Sequence, residues 1–300
     1  MAGYAVIEAP SVLGLVPGGV ERLPGALLDA GLADRLGARR AGRVTPPPYD
    51  PVRDPLTGLL NPTGLRDYAI QLADVTGEVL DGDDFPVVLG GDCSILLGNL
   101  LALRRRGDYG LLFLDGHADF YQPAAEPNGE AASMDLALAT GRGPDILADL
   151  EGRGPLVRDG DVVVFGRRDA EEAEAAGSQR VEDTAVTVID LATVRDRGAQ
   201  QAAHDALDRL RRPELAGFWI HLDCDVLNDT VMPAVDYRLP GGLSWDELEA
   251  AIRVASESGD AVGLEVTIFN PALDSDGTIA RALVSRLVSA LSSGRGPRHR

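Results

Sequence analysis

The chain contains no lysine, and its 28 basic residues are all arginine. This absence excludes enzymes that form a Schiff base through lysine, and phosphate-binding P-loops that require one. Only two cysteines are present, Cys93 and Cys224. A fold that is cross-linked by disulfide bonds needs more cysteines, so we expect the protein to lie in a reducing compartment.

Long apolar runs are absent as well, which argues against a transmembrane segment. The first ten residues lack the pattern of a signal peptide, and we therefore expect a cytoplasmic protein. Acidic residues outnumber basic ones by 47 to 28, giving a net charge of -19. Such a surface repels phosphate backbones and anionic lipids, so we expect no nucleic acid or membrane partner.

Aromatic residues make up only 5% of the chain, while hydrophobic residues make up 45%. This composition favours helices packed on a buried sheet over an aromatic-rich β-sandwich. Short segments that are apolar on both faces predict parallel strands; they are Tyr4–Ile7, Pro86–Leu89, Gly110–Leu114, Val162–Phe165, Ala185–Ile189, Phe218–Leu222 and Ala261–Val266. Helical patterns between them cover Arg66–Leu80, Ser94–Arg106, Ala199–Arg212, Ser244–Ser258 and Gly277–Ser292.

Strand and helix alternate through the whole chain, which predicts an α/β fold of three layers, α/β/α, with a mostly parallel sheet of about eight strands. We expect a single domain over residues 1–292 and a flexible tail over residues 293–300. Ser244, followed by Glu247, predicts a capping box at the start of one helix.

Polar motifs follow most of the predicted strands: GGDCS, DGHADF, GRRD and LDCDVLND. Ligands bind at the carboxyl edge of open parallel sheets, so we expect these motifs to converge in space. In the second motif Asp115, His117 and Asp119 alternate, which places their side chains on one face if the chain stays extended. The alternative is a polar strand end with a capping aspartate.

Asp223 and Asp225 form a second pair of carboxylates on one face of a strand end. Close carboxylates repel each other unless one is protonated or a cation lies between them. Four carboxylates with one imidazole suit Mn²⁺ better than Mg²⁺. Two such ions could share bridging carboxylates and hold a hydroxide between them.

In combination, these motifs resemble the GGDHS, DAHxD and DxDxxDP motifs of the ureohydrolase family, which includes arginase, agmatinase, guanidinobutyrase and formiminoglutamase. The resemblance covers most of the chain and implies a metal-dependent hydrolase of C–N bonds in guanidino-type molecules. It implies two Mn²⁺ ions, with Asp115 and Asp223 bridging them, His117 and Asp225 completing one, and Asp119 the other. It also implies a homo-oligomer, a trimer or hexamer.

The chain departs from the family at its remaining ligand, because Cys93 replaces the histidine of GGDHS. A thiolate could still bind the metal and would shift the preference towards Zn²⁺ or Fe²⁺. The alternative is a buried cysteine with water as the missing ligand. Cys224 is predicted to point into the core, and His221, two residues before Asp223, to lie behind the ligands or in the core.

The segment that carries the family's proton-shuttling histidine is altered to Ala132-Ser-Met-Asp135, where Ser133 or Asp135 could substitute. The position of the family's substrate-binding glutamate is Ile268, so we expect a neutral, bulkier or altered substrate such as a hydroxyguanidine. Tyr121 lies in the altered loop after Asp119, and Asp169 matches a substrate-side aspartate of the family.

Three hypotheses follow. In the first, a metal-bridging hydroxide attacks an amidine-type carbon, Asp119 steers it, and Asp225 or a water protonates the leaving amine. In the second, the protein is a weak or inactive arginase-like relative that binds a metabolite or a partner. The third, a deacetylase-like amide hydrolase, ranks last because its paired histidines are missing.

Overall fold

Eight short strands form one parallel sheet in the computed structural model, which describes residues 3–292. The strands are β1 (Tyr4–Glu8), β2 (Arg39–Arg43), β3 (Phe85–Leu89), β4 (Gly110–Leu114), β5 (Val162–Phe165), β6 (Thr187–Ile189), β7 (Phe218–Asp223) and β8 (Ala261–Thr267). Their order across the sheet is β2-β1-β3-β8-β7-β4-β5-β6. The predicted tail, residues 293–300, lies outside the described residues, and the single domain over residues 1–292 stays a prediction.

Helices connect the strands and cover both faces of the sheet. They are α1 (Leu23–Asp29), α2 (Leu32–Leu36), α3 (Pro62–Asp81), α4 (Leu96–Arg104), α5 (Asp135–Ala139), α6 (Asp145–Ala148), α7 (Ala170–Ala175), α8 (Leu191–Arg197), α9 (Ala199–Leu210), α10 (Trp245–Glu257) and α11 (Thr278–Ser292). The predicted capping box of Ser244 and Glu247 is present at the start of α10. Among the described residues, no helix is both long and apolar enough to cross a membrane.

The strand missing from the sequence-based prediction is β2, at one edge of the sheet. Its sequence, RRAGR, has no apolar pattern, and most of its side chains are exposed. Its arginines pair with acids on neighbouring segments, including Arg39 with Asp84 at 2.7 Å and Arg43 with Glu8 at 3.0 Å. Edge strands of this kind are held by backbone pairing and surface charge, which hydrophobic periodicity does not detect.

Alternate residues of the central strands pack into two separate apolar cores. Leu111 and Phe113 of β4 belong to the core that contains α3 and α4, while Leu112 and Leu114 belong to the core that contains α9, α10 and α11. Each strand therefore buries both of its faces, as expected for a parallel sheet covered by helices. The predicted three-layer α/β/α fold is confirmed.

The carboxyl ends of β3, β4, β7 and β8 lie at one edge of the sheet, because all of these strands run parallel. β7 and β8 are adjacent and lie between β3 and β4. The loops that follow these four strands therefore meet over the middle of the sheet. This edge is where open α/β sheets bind their ligands.

Candidate metal centre

The segment after β4 begins with Asp115, which is fully buried. One oxygen of Asp115 accepts a hydrogen bond from the backbone N–H of His117 at 2.6 Å. The other, Oδ2, has no hydrogen-bond partner in the part of the chain that the structure describes. His117 Nδ1 lies 2.8 Å from Asp225 Oδ2, which joins this segment to the one after β7. Asp119 has a φ of 44°, so the segment turns instead of staying extended. Simple alternation therefore does not predict the direction of the Asp119 side chain. The side chain nevertheless lines the same cavity as His117 and Asp225.

The segment after β7 is a short 3-10 turn, Cys224–Val226. Asp223 caps this turn by accepting the backbone N–H of Asp225 at 2.6 Å. Cys224 is fully buried in the apolar core beside Leu222 and Val226, in agreement with the prediction. The turn thus directs both carboxylates to the site and the thiol between them to the core.

Cys93 follows the GGD turn after β3 and is buried. Its Sγ donates a hydrogen bond to Asp223 Oδ2 at 2.8 Å and lies 3.2 Å from Thr267 Oγ1. Burial and the charge of Asp223 raise the pKa of the Cys93 thiol well above its usual value. Without a cation, Cys93 is therefore a neutral thiol.

Three overlapping groups of side chains have ligand atoms that all lie within 4.8 Å of one another. The groups are Cys93, Asp115, His221 and Asp223; Cys93, Asp119 and Asp135; and Asp115, His117 and Asp225. All six residues predicted as metal ligands belong to at least one group. Two further members, His221 and Asp135, had been interpreted from the sequence only as a core or supporting residue and as a possible proton shuttle.

The electrostatics of this cluster are those of carboxylates packed too closely to ionise together. Burial and the charge of Asp225 raise the pKa of Asp115 to about 6. Burial and the charge of Asp115 raise the pKa values of Asp119 well above the ordinary range, and burial with the charge of Asp225 does the same for Asp223. In the absence of a cation, the cluster can satisfy these groups only by retaining protons.

His117 and Asp225 form an ion pair within the cluster. Burial disfavours the charged forms of both, but Asp225 raises the pKa of His117 to about 10, and His117 holds the pKa of Asp225 below its usual value. His117 is partly exposed, with 17% of its side chain accessible. It is thus the member of the pair that faces the open side of the site.

The residues present fit a divalent cation. Within residues 3–292, several buried polar atoms lack a hydrogen-bond partner: Asp115 Oδ2, both carboxylate oxygens of Asp135, and His221 Nε2. Buried carboxylate oxygens are normally hydrogen-bonded, and leaving one unpaired is costly. A cation bound among these oxygen and nitrogen atoms would supply the contacts they lack and would offset the repulsion between the carboxylates.

A cavity of about 320 Å³ opens directly onto the cluster. Of the predicted substrate-binding residues, Tyr121, Ser133 and Ile268 line it, beside Cys93 and four other predicted ligands. Acidic and aromatic side chains that sequence reasoning did not single out also line this cavity: Glu172, Asp236 and Tyr237. Glu172 belongs to α7, whereas Asp236 and Tyr237 are consecutive residues of the loop between β7 and α10. No local sequence pattern shows that these two segments share a cavity.

Asp169 lies outside this cavity, in the wall of a smaller neighbouring one. Its carboxylate accepts the backbone N–H of Ala118 at 3.2 Å and pairs with Arg167 Nε at 2.8 Å. Both oxygens of Asp169 are therefore occupied, and they hold the loop between His117 and Asp119. Its predicted role in substrate binding stays a prediction.

Together, fold and site define a class: three-layer α/β proteins that gather buried carboxylates and imidazoles at the carboxyl edge of a parallel sheet to hold cations. The family model that matches the chain, over residues 37–293, is that of the arginase family. This match covers most of the chain, and the protein belongs to the arginase family. It is accordingly a hydrolase of the arginase-like class, which acts on non-peptide C–N bonds in linear amidines.

Individual relatives agree with this membership. An arginase of Staphylococcus aureus strain MRSA252 is 25% identical over 291 residues, covering 94% of this chain and 95% of the relative. The structure of arginase from Bacillus caldovelox matches with a TM-score of 0.89 and 25% identity, covering 97% of this chain and 98% of that chain. A formimidoylglutamase structure from Bacillus subtilis, with a TM-score of 0.74, 19% identity, and coverage of 98% and 87%, shares the fold.

Proposed function

We propose that the protein is a metal-dependent hydrolase that cleaves a C–N bond of a guanidino-type or related small molecule with the help of two Mn²⁺ ions. The proposed ligands are Cys93, Asp115, His117, Asp119, Asp223 and Asp225. The observation that carries the proposal is that Asp115 belongs to two ligand groups at once, one with Asp223 and one with His117 and Asp225. A carboxylate shared in this way is suited to bridge two cations.

As the family resemblance implies, Asp115, Asp223, His117 and Asp225 would hold one ion, and Asp115, Asp223 and Asp119 would hold the other. When bound, the two metal ions would lower the pKa of a water and offset negative charge that develops on the substrate. Zn²⁺ or Fe²⁺ are alternatives to Mn²⁺, because a thiolate from Cys93 would be a softer ligand than the oxygens around it.

Two carboxylates of the chain are the proposed catalytic groups. Asp119 and Asp225 both line the cavity, so each can contact a substrate or a water there. We propose that Asp119 accepts a hydrogen bond from the attacking water and orients it towards the amidine carbon. The proton that this water loses is passed to the leaving amine by Asp225 or by a second water, so the proton gained by the amine is the one released by the nucleophile.

The cavity wall argues against a simple guanidinium as the preferred substrate. Ile268 presents an apolar side chain to the cavity. Glu126 and Glu130 also line it, but Glu126 accepts the backbone N–H of Glu130 at 2.9 Å, and Glu130 accepts the hydroxyl of Tyr237 at 2.6 Å. Of the other acids in the wall, Asp236 accepts the side-chain amide of Asn270 at 3.0 Å, and Glu172 is exposed. Because the position of the family's glutamate is apolar, we propose a neutral, bulkier or altered substrate such as a hydroxyguanidine.

The experiment that tests the proposal combines metal analysis with a substrate screen. Protein purified in manganese is analysed for bound ions, then assayed for urea, ammonia or amine released from guanidino, hydroxyguanidino and amide compounds. Asp223→Asn is the site variant, and His204→Ala, on the exposed face of α9, is the matched control. Two ions per chain with turnover that only Asp223→Asn abolishes would support the proposal.

Two ions without turnover of any compound would favour the weak or inactive relative that binds a metabolite or partner. Fewer than about one ion per chain would count against the metal centre itself. A cytoplasmic location and a homo-oligomer, trimeric or hexameric, rest on the sequence and the family resemblance alone. Light scattering of the purified protein tests the oligomer.

A further inference from the structure

His221 is a fully buried histidine in the middle of the sheet. It lies on β7, directly opposite Phe113 of β4 on one side and Glu265 of β8 on the other. Its ring stacks on Phe113, with the ring centroids 4.4 Å apart and the planes 9° from parallel. His221 lies on the same strand face as Asp223, two residues before it, so its ring sits immediately beneath the carboxylates of the site.

One nitrogen of the imidazole is held by a chain of buried polar groups. His221 Nδ1 lies 2.6 Å from Glu265 Oε1. The other oxygen of Glu265 accepts a hydrogen bond from the side-chain amide of Asn99 on α4, whose oxygen accepts the hydroxyl of Thr76 on α3 at 2.9 Å. All of these residues are buried within the core between the sheet and these helices. An ionised carboxylate only accepts hydrogen bonds, so Nδ1 carries a hydrogen, and Nε2 is the nitrogen available to exchange a proton for a cation.

The other nitrogen, Nε2, has no hydrogen-bond partner among the described residues. It points at the cluster, 3.8 Å from Asp115 Oδ2, which also lacks a partner within the described part of the chain. A ring nitrogen of His221, an oxygen of Asp115, Cys93 Sγ and an oxygen of Asp223 all lie within 4.8 Å of one another. A core histidine with a purely structural role would be expected to have both nitrogens satisfied.

We propose that His221 Nε2 is a ligand of the ion that lies between Cys93, Asp115 and Asp223, and that Glu265 is the residue that positions it. This inference rests on the proposed metal-dependent function. It assigns the nitrogen ligand of that ion to a strand of the sheet instead of the turn after β3, where Cys93 stands. Glu265 fixes the tautomer and the ring orientation, as carboxylates do behind many metal-binding histidines.

The test measures metal binding, not catalysis. Metal-free protein is titrated with Zn²⁺ and with Mn²⁺ by calorimetry, and the zinc-loaded protein is examined by X-ray absorption to count imidazole ligands. His221→Ala should lower the binding affinity for one of the two ions by at least about a hundredfold. The X-ray absorption spectrum should then show one imidazole ligand fewer. Glu265→Gln should lower the affinity for the same ion by roughly tenfold to a hundredfold, while the number of imidazole ligands is unchanged.

A second variant guards against a simple loss of folding. Cys93 Sγ belongs to the same group of ligand atoms as a ring nitrogen of His221. The double variant Cys93→His/His221→Ala therefore returns an imidazole to the same ion and should recover its affinity to within roughly tenfold. A role of His221 in core packing alone would not be rescued from residue 93. His204→Ala, an exposed histidine, is the control and should change neither measurement.

The outcomes separate this inference from the proposed function. If the unmodified protein binds two ions and His221→Ala alters neither affinity nor imidazole count, the His221 assignment is overturned while the metal centre stands. If the unmodified protein binds no ions, the proposed function fails first. Loss of one ion in His221→Ala with recovery in the double variant supports the assignment.

Discussion

At the scale of single residues, Ile268 has an unusual backbone for its side chain. Its φ is 67°, in the left-handed region that β-branched residues rarely adopt. The position is held because the Ile268 N–H donates to the carbonyl of Gly91 at 2.8 Å, next to the turn that carries Cys93. The fold therefore fixes an apolar side chain against the cavity above the cluster.

Because Ile268 is apolar, we predict that arginine is a poor substrate and that the Ile268→Glu variant hydrolyses arginine faster. A guanidinium is a permanent cation, and next to two divalent ions it needs a carboxylate partner. A partly buried charge without one costs on the order of several kcal/mol, equivalent to roughly a thousandfold in affinity or rate. Ile268→Glu should raise kcat/KM for arginine by about tenfold or more.

Urea release with saturating manganese measures this effect. Ile268→Gln is the control, because it has the size of glutamate without the charge and should leave kcat/KM for arginine low. Efficient hydrolysis of arginine by the unmodified protein would show that the argument from Ile268 is wrong.

At the scale of elements, the turn after β3 places Cys93 through a close backbone approach. A Cβ added at Gly91 would lie 1.8 Å from the carbonyl oxygen of Ser11. The next residue, Asp92, accepts the Ser11 hydroxyl at 2.8 Å and the backbone N–H of Ser94 at 2.9 Å. The loop after β1 and the turn after β3 are thus pressed together, and they set the position of Cys93.

We predict that Gly91→Ala destabilises the protein by about 3 kcal/mol or more, because neither backbone can move without disturbing the site. Thermal or denaturant unfolding of the metal-free protein measures the loss directly. Gly160→Ala is a matched control, since an added Cβ there meets no atom of the described residues within 4 Å. Equal stability of the two variants would refute the role assigned to this contact.

At the scale of the whole molecule, a chain of net charge -19 places several of its carboxylates in one buried cluster. Most of this negative charge is solvated at the surface, but the cluster is not. Raised pKa values mean that the folded protein holds protons there more tightly than the unfolded chain does. The stability of the metal-free protein must therefore depend on pH.

The sign of this dependence follows from Asp115 and His117. The pKa of Asp115 rises from 3.8 to about 6, so the stability from its bound proton is complete below pH 3.8 and lost as the pH rises through 6. The pKa of His117 rises from 6.5 to about 10, and its contribution is lost as the pH rises from 6.5 through 10. Between pH 5 and 7.5 both effects have the same direction.

We predict that the free energy of unfolding of EDTA-treated protein falls by at least about 1 kcal/mol between pH 5 and 7.5. Saturating Mn²⁺ should stabilise the protein more at pH 7.5 than at pH 5, because it binds the ionised ligands. Denaturant titrations at the two pH values measure both effects, with Asp115→Asn expected to flatten the dependence. Stability that rises over this range without metal would contradict the prediction.

The sequence by itself determined the fold and the core of the candidate site. Apolar segments and helical periods are local patterns, and they predicted every strand except β2, whose arginine-rich segment pairs at an exposed edge. The motifs with Asp115, His117, Asp223 and Asp225 stand at strand ends, where a parallel sheet brings them together whatever the details of packing. Membership of the family was readable from the same motifs.

Only the tertiary structure decided how His221, Asp135 and Asp119 contribute. The neighbours that orient His221, Phe113 and Glu265, come from two other strands, and only the register of the sheet places them beside it. Asp135 faces Cys93 and Asp119 across a long loop, and Asp119 adopts a left-handed backbone that simple alternation does not describe. Contacts between distant segments depend on strand order and loop path, which the pattern of a single segment does not show.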